Sequence, residues 1–129
     1  AQAASLGHHR ILIVDDHAIM REGLVTMLDA EADLEIVGEA ADGPTAIDLA
    51  AELHPDVVVM DVNLGVMNGV EATRRIRQAA PDIRVVGLSM HEDSDVARAM
   101  REAGACAYLT KGGPTEDLLA AIRADAIGH

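Results

Sequence analysis

The chain contains no phenylalanine and no tryptophan, and Tyr108 is its only aromatic residue. A core built from it must therefore be aliphatic, carried by Ala, Val, Leu, Ile and Met. It has one cysteine, Cys106, which excludes an internal disulfide and fits a reducing compartment. Cys106 falls in an apolar run and is expected as a small buried hydrophobe. Basic residues are scarce, 10 Lys and Arg against 22 Asp and Glu, for a net charge of −12. That balance argues against direct binding of nucleic acid, whose phosphates need a basic surface. Only Arg74, Arg75 and Arg77 cluster, and on a helix they read as a solvated face. No apolar run nears the roughly 20 residues that span a bilayer, and no signal-peptide pattern appears. A membrane is thus not an expected partner, and the expected location is cytoplasmic.

What is present is alternation. Strand-like runs lie at Ile11–Val14, Leu34–Val37, Val57–Met60, Ile83–Leu88 and Cys106–Leu109. Between them, apolar residues recur at helical spacing: Met20, Leu24, Met27 and Leu28; Ala46, Leu49, Ala50 and Leu53; Val96, Met100 and Ala103; Leu118, Leu119 and Ile122. Asp42-Gly43-Pro44 should open the second helix, Pro114-Thr115 the fifth, and Ala103-Gly104 should close the fourth. The fifth helix is expected to end near Ala126. Five βα units with continuous apolar strands imply an α/β domain with a parallel sheet covered on both faces. At 129 residues one such domain is expected. Residues 1–9 read as a linker or appended sequence and 10–127 as the folded unit. His8-His9 and Gly128-His129 are candidates for added residues.

A doubly wound sheet of five strands is commonly ordered 2-1-3-4-5, and ligands then bind beyond the carboxyl ends of strands 1 and 3. Asp15 and Asp16 end strand 1, and Asp61 ends strand 3. Each has an ordinary alternative: Asp16 as a helix N-cap, Asp61 bonded to its own loop. Together they bring three carboxylates to one crevice, where they repel unless a cation is present. A hard divalent cation suits them, since Mg²⁺ takes one or two carboxylates, a backbone carbonyl and waters. Ser89 ends strand 4 and Lys111 ends strand 5 on the same rim. A lysine is a point-charge partner for phosphate, and a hydroxyl can donate to a phosphoryl oxygen. His17, His54 and His91 stand at helix boundaries, where solvated or capping roles are expected and metal ligation is not.

The set Ile11-Leu12-Ile13-Val14-Asp15-Asp16-His17, Met60-Asp61-Val62 with Met67-Asn68-Gly69, Leu88-Ser89-Met90 and Tyr108-Leu109-Thr110-Lys111 resembles the receiver domain of two-component response regulators. It resembles most the receivers of the branch with helix-turn-helix output domains. The resemblance spans Arg10 to Ala126 and implies a flavodoxin-like (βα)5 fold. It implies that Asp61 accepts a phosphoryl group from a histidine kinase or phosphotransfer protein. It also implies that Asp16, Asp61 and the Asn63 carbonyl ligate Mg²⁺, with Asp15 acting through water. Lys111 and Ser89 would contact the phosphoryl group, and Tyr108 would be the aromatic that changes rotamer. The switching face would be helix 4, strand 5 and helix 5, acting on an output domain or partner, with a homodimer formed on phosphorylation as a further expectation. The full-length setting is read as the carboxyl-terminal receiver of a hybrid histidine kinase, with the amino-terminal half of a transcription regulator as the alternative.

The chemistry of the residues agrees. A carboxylate is an available nucleophile, and phosphoryl transfer asks a protein mainly for positioning and charge neutralisation. Asn63, two residues after Asp61, is an amide and cannot shuttle the proton that rapid hydrolysis would use. A persistent acyl phosphate is therefore expected, with no enzymatic activity beyond self-phosphorylation and slow dephosphorylation. Asn63 also departs from a haloacid-dehalogenase-like phosphatase, which has an acid there. A flavin carrier would not place Asp15-Asp16-His17 where phosphate binds, and neither GxxxxGK[ST] nor GxGxxG occurs. The remaining alternative is a receiver-like interaction module that is not phosphorylated. Gly65 stands where the family usually has proline, so a more mobile loop is expected. Gly112-Gly113 follow Lys111 where proline is frequent, which leaves the isomer of the Lys111–Gly112 peptide open.

Overall fold

Continuous apolar runs flanked by turn residues form the centre of the molecule. The computed structural model describes residues 9–62, 68–90 and 94–124. Five strands, β1 (His9–Val14), β2 (Leu34–Ala40), β3 (Val57–Asp61), β4 (Arg84–Ser89) and β5 (Ala107–Thr110), alternate with five helices. The helices are α1 (Ala18–Asp29), α2 (Gly43–Leu53), α3 (Gly69–Ala79), α4 (Ser94–Ala103) and α5 (Thr115–Arg123). All strand pairs are parallel and the sheet order is β2-β1-β3-β4-β5, as expected. β3 is buried at every position. The alternation of side chains splits the core into two layers. Leu12, Val14, Val58, Met60 and Val85 pack with Ala46 and Ala50 of α2, Ala72 and Ile76 of α3 and Met100 of α4. Ile11, Ile13, Val57, Val59 and Val86 pack with Leu28 of α1 and with Leu118 and Ile122 of α5. Among the described residues, the largest fully buried side chains are aliphatic or methionine.

Local signals act as read. Asp42 caps α2 by accepting from the Thr45 N–H at 2.8 Å; Asn68, which was not read as a cap, caps α3 by accepting from the Glu71 N–H at 2.9 Å. Gly104 ends α4 with φ of 114°, a conformation open to glycine.

Several expectations are corrected. Cys106 is exposed and precedes β5, because the strand starts one residue later than its apolar pattern and Cys106 stays in the connecting bend. β1 takes in His9, whose N–H donates to the Asp33 carbonyl at 2.9 Å. β2 runs on to Ala40, since pairing with β1 continues past Val37 across an irregularity in register. Arg77 leaves the exposed Arg74 and Arg75 and turns inward to the Ile83 carbonyl at 2.7 Å and to that of Pro81. α5 stops at Arg123, where the Arg84 guanidinium takes up the Ile122 carbonyl at 2.9 Å and that of Ala124; Ala126 lies outside the described residues. The first turn of α1 packs less than its periodicity suggests. Ile19 is 84% exposed and Met20 37%, because this turn projects past the carboxyl edge of the sheet.

The joint between β3 and α3 is tight. A Cβ on Gly69 would lie 2.4 Å from the Asp61 carbonyl oxygen and 2.7 Å from the Val62 Cα, both backbone atoms. The Gly69 N–H also donates to the Val62 carbonyl at 2.9 Å. Gly69→Ala is expected to lower stability by about 1–3 kcal/mol, as overpacking does, measured by urea unfolding. A change within about 0.3 kcal/mol would show that the joint yields freely.

Candidate functional site

Beyond the strand ends the ladder continues by one residue. The Asp15 N–H donates to the Ala40 carbonyl at 3.0 Å, Val62 to Leu88 at 3.0 Å, and Lys111 to Ser89 at 2.7 Å. These bonds fix the three loops where the functional side chains stand, at the point where strand order reverses. Asp15 and Asp61 are buried, with side chains 1% and 2% exposed. Asp16 reaches solvent, and Ser89 is buried at the end of β4. Four of the seven residues picked from the sequence converge directly here: Asp15, Asp16, Asp61 and Lys111. Ser89 borders them through its backbone bond to Lys111. Tyr108 lies three residues before Lys111 on β5, half-buried. Asn63 and Gly65 lie outside the described residues, as do Met67 and His91. The Lys111–Gly112 peptide is trans.

Asp15 has little freedom. Its Oδ1 accepts from the His17 N–H at 2.9 Å, and its Oδ2 accepts from Lys111 Nζ at 2.8 Å. Its carbonyl accepts from Arg21 Nη1 at 2.5 Å. Lys111 Nζ also lies 3.3 Å from Asp61 Oδ2, so one ammonium holds two buried carboxylates. Three carboxylates against one ammonium leave two negative charges, the charge of one divalent cation. The donor set, carboxylate oxygens open to water through Asp16, suits such an ion.

Two members of the site were not picked from the sequence. Arg21 lies one helical turn into α1 and joins the Asp15 carbonyl to Glu39 Oε1 of β2, 3.1 Å away. Its position six residues after Asp15 was the available signal. His17, read as a boundary residue, instead turns its Nδ1 to within 3.0 Å of Asp16 Oδ1.

With this geometry the chain can be placed among known proteins. The family model of the response regulator receiver domain matches residues 11–123. The chain belongs to this family. It is 40% identical over 120 residues to the transcriptional regulatory protein LiaR of Bacillus subtilis, covering 93% of this chain and 57% of LiaR. It is 41% identical over 114 residues to the response regulator GacA of Pseudomonas aeruginosa, covering 88% of this chain and 53% of GacA. It thus spans about half the length of the curated relatives it matches. A solved LuxR-family two-component response regulator from Aurantimonas sp. SI85-9A1 superposes with a TM-score of 0.89 at 41% identity, covering 95% of this chain and 87% of that one. The signal receiver domain of the putative response regulator NarL from Mycobacterium tuberculosis gives 0.84 at 27% identity, covering 92% and 98%. The resemblance to the helix-turn-helix output branch is borne out by these relatives. Receiver domains bind Mg²⁺ at their acidic pocket. Among the described residues no helix is long and apolar enough to cross a membrane.

Lys111 is the only lysine in the chain. Burial works against its charge, but the hydrogen bond to Asp15 and the attraction of Asp61 and Asp15 outweigh it, so its pKa lies above the ordinary 10.5. The charged form therefore favours the folded state. Its contribution is whole below pH 10.5 and is lost as pH rises through the raised folded value. Wild type in EDTA is expected to be more stable than Lys111→Met by on the order of 3 kcal/mol at neutral pH. That difference should shrink only in the alkaline range. A gap that stays constant from about pH 8 to about pH 12 would show that the ammonium charge is not what holds Asp15 and Asp61.

Proposed function

We propose that this receiver domain takes a phosphoryl group onto Asp61 from a phosphohistidine of a kinase or phosphotransfer protein. The observation that carries the reading is the meeting of Asp15, Asp16, Asp61 and Lys111 at the switch point of the sheet. An Asp61 carboxylate oxygen attacks phosphorus as the P–N bond breaks, and the imidazole leaves and takes a proton. Asp16 and Asp61, with the Asn63 carbonyl, would hold Mg²⁺. Asp15, with both oxygens already engaged, would act through water. The bound cation supplies neutralisation of the charge on the transferring group. Lys111 adds a second positive charge, and it can exchange Asp15 or Asp61 for a phosphoryl oxygen with little movement. Ser89, fixed to Lys111 through the backbone, donates its hydroxyl to the same group.

The whole protein would be a transcription regulator, in line with the relatives' names, acting in the cytoplasm. This domain, at a net charge of −12, would leave nucleic acid to its output domain. That setting is favoured here over a hybrid kinase. Incubation with acetyl phosphate and Mg²⁺ is expected to add one phosphoryl group by intact mass in wild type and none in Asp61→Asn. Equal modification of both proteins would refute Asp61 as nucleophile. No modification of wild type, by acetyl phosphate or by a phosphorylated histidine kinase, would favour the interaction-module reading.

Tyr108 would carry the signal outward. Its ring packs beside Gly87 and Met100, and its hydroxyl is buried with no hydrogen-bond partner among the described residues. A groove of about 690 Å³ adjoins it, lined by Ala97 and Arg101 of α4 and Asp117 and Leu118 of α5. Beryllofluoride with Mg²⁺ is expected to change tyrosine fluorescence or its quenching by iodide, and Ser89→Ala should blunt the change. An unchanged signal with the mimic demonstrably bound would rule out coupling through Tyr108.

A further inference from the structure

Among the described residues, His17 is a potential metal ligand at the crevice that the proposed phosphotransfer does not use. It occupies the N-cap position of α1, yet its side chain makes no capping bond. Its backbone N–H is tied to Asp15 Oδ1 at 2.9 Å, which fixes the turn. The imidazole is 65% exposed and stands at the mouth of the cluster, with Nδ1 3.0 Å from Asp16 Oδ1 and 3.5 Å from Asp15 Oδ1. Ligand atoms of Asp15, Asp16, His17 and Asp61 all lie within 4.8 Å of one another. Two neighbouring ligands of an octahedral ion with bonds of about 2.1 Å stand roughly 3.0 Å apart. The Asp16–His17 pair already has that spacing.

We propose that His17 is a metal ligand through Nδ1, beside Asp16 and Asp61, when the cation is a borderline transition metal such as Co²⁺, Ni²⁺ or Zn²⁺. For Mg²⁺ it stands aside. The inference rests on the metal reading given under the proposed function and deepens it. Carboxylates and water suit Mg²⁺, which sheds water reluctantly, whereas imidazole suits Ni²⁺, Cu²⁺ and Zn²⁺. One site thus holds two donor sets that share two carboxylates. A receiver without this imidazole would separate the two classes of metal less sharply. Trace transition metal would compete with Mg²⁺ here through a contact that Mg²⁺ does not make.

Calorimetric titration of the full chain with Ni²⁺ and with Mg²⁺ tests this, using wild type, His17→Asn, His17→Ala and Asp16→Ala. Asparagine is a good N-cap, so His17→Asn keeps the start of α1 intact. Both His17 variants are expected to lose about tenfold or more in Ni²⁺ affinity, with Mg²⁺ affinity held within about twofold. The visible spectrum of bound Co²⁺ should change in the same variants, which a purely structural role would not produce. Asp16→Ala should weaken both metals. Unchanged Ni²⁺ affinity in the His17 variants, or equal loss of both metals, would overturn the proposal. Ni²⁺ binding indifferent to both His17 and Asp16 would assign it to other histidines and overturn it equally. If wild type binds Ni²⁺ through His17 but never binds Mg²⁺, the inference stands and the Mg²⁺ reading falls.

Discussion

One ammonium between two buried carboxylates organises this end of the molecule. Lys111 Nζ lies 2.8 Å from Asp15 and 3.3 Å from Asp61, and both acids are almost wholly out of water. Two such charges so close would repel strongly in a medium of low dielectric. The lysine offsets that repulsion and ties the first, third and fifth strands together through side chains, beyond the reach of their backbone ladder. It cannot satisfy the whole cluster, because Asp16 adds a third negative charge. The site is therefore held together and still left negative. That residual charge gives a cation reason to enter.

The rest of the fold serves this arrangement by fixing backbone. The order β2-β1-β3-β4-β5 brings the ends of β1 and β3 side by side, with β4 and β5 following outward. Asp15, Ser89 and Lys111 are set by single hydrogen bonds that extend each ladder past its strand. Gly69 lets α3 close onto the backbone at Asp61 with no room for a side chain. Arg21 grips the carbonyl of Asp15 from α1 and anchors to Glu39 of β2. The positions of Asp15 and Asp61 thus depend on contacts made by other elements of the fold, not on their own loops alone.

The legible part of the sequence was what rests on periodicity and position. Buried parallel strands show as runs such as Val57–Met60, and topology then turns three separate aspartates into one cluster. The residues that went unread act through geometry that composition does not carry. Arg21 and Arg77 look like ordinary solvated basic residues, and only the path of the chain shows each reaching a backbone carbonyl. His17 has the spacing of a cap, but rotation about one side-chain bond decides whether it faces the helix or the carboxylates. Cys106 was misplaced because an apolar pattern cannot say where within it a four-residue strand begins.

The structure divides into parts packed to different degrees, and the division follows the chemistry. β3 and the start of α3 have no slack, which would suit a nucleophile at Asp61, whose position must be repeatable. Across the crevice the first turn of α1 leaves Ile19 largely in water and Met20 partly so, and β5 is only half-buried along its length. Tyr108 sits in that looser half, half-buried and beside a groove. A change of one charge at Asp61 is a local event, worth a few kcal/mol at most. Such an event cannot rearrange the tight half. On the proposed reading it would bias the rotamer of Tyr108 instead. The absence of other aromatics strengthens this point, since no Phe or Trp competes for the space and Tyr108 alone has the bulk to alter that face. On the proposed reading, tight packing at Asp61 and looser packing at β5 would be two conditions of one device: the first would make the signal reproducible, and the second would let it be small.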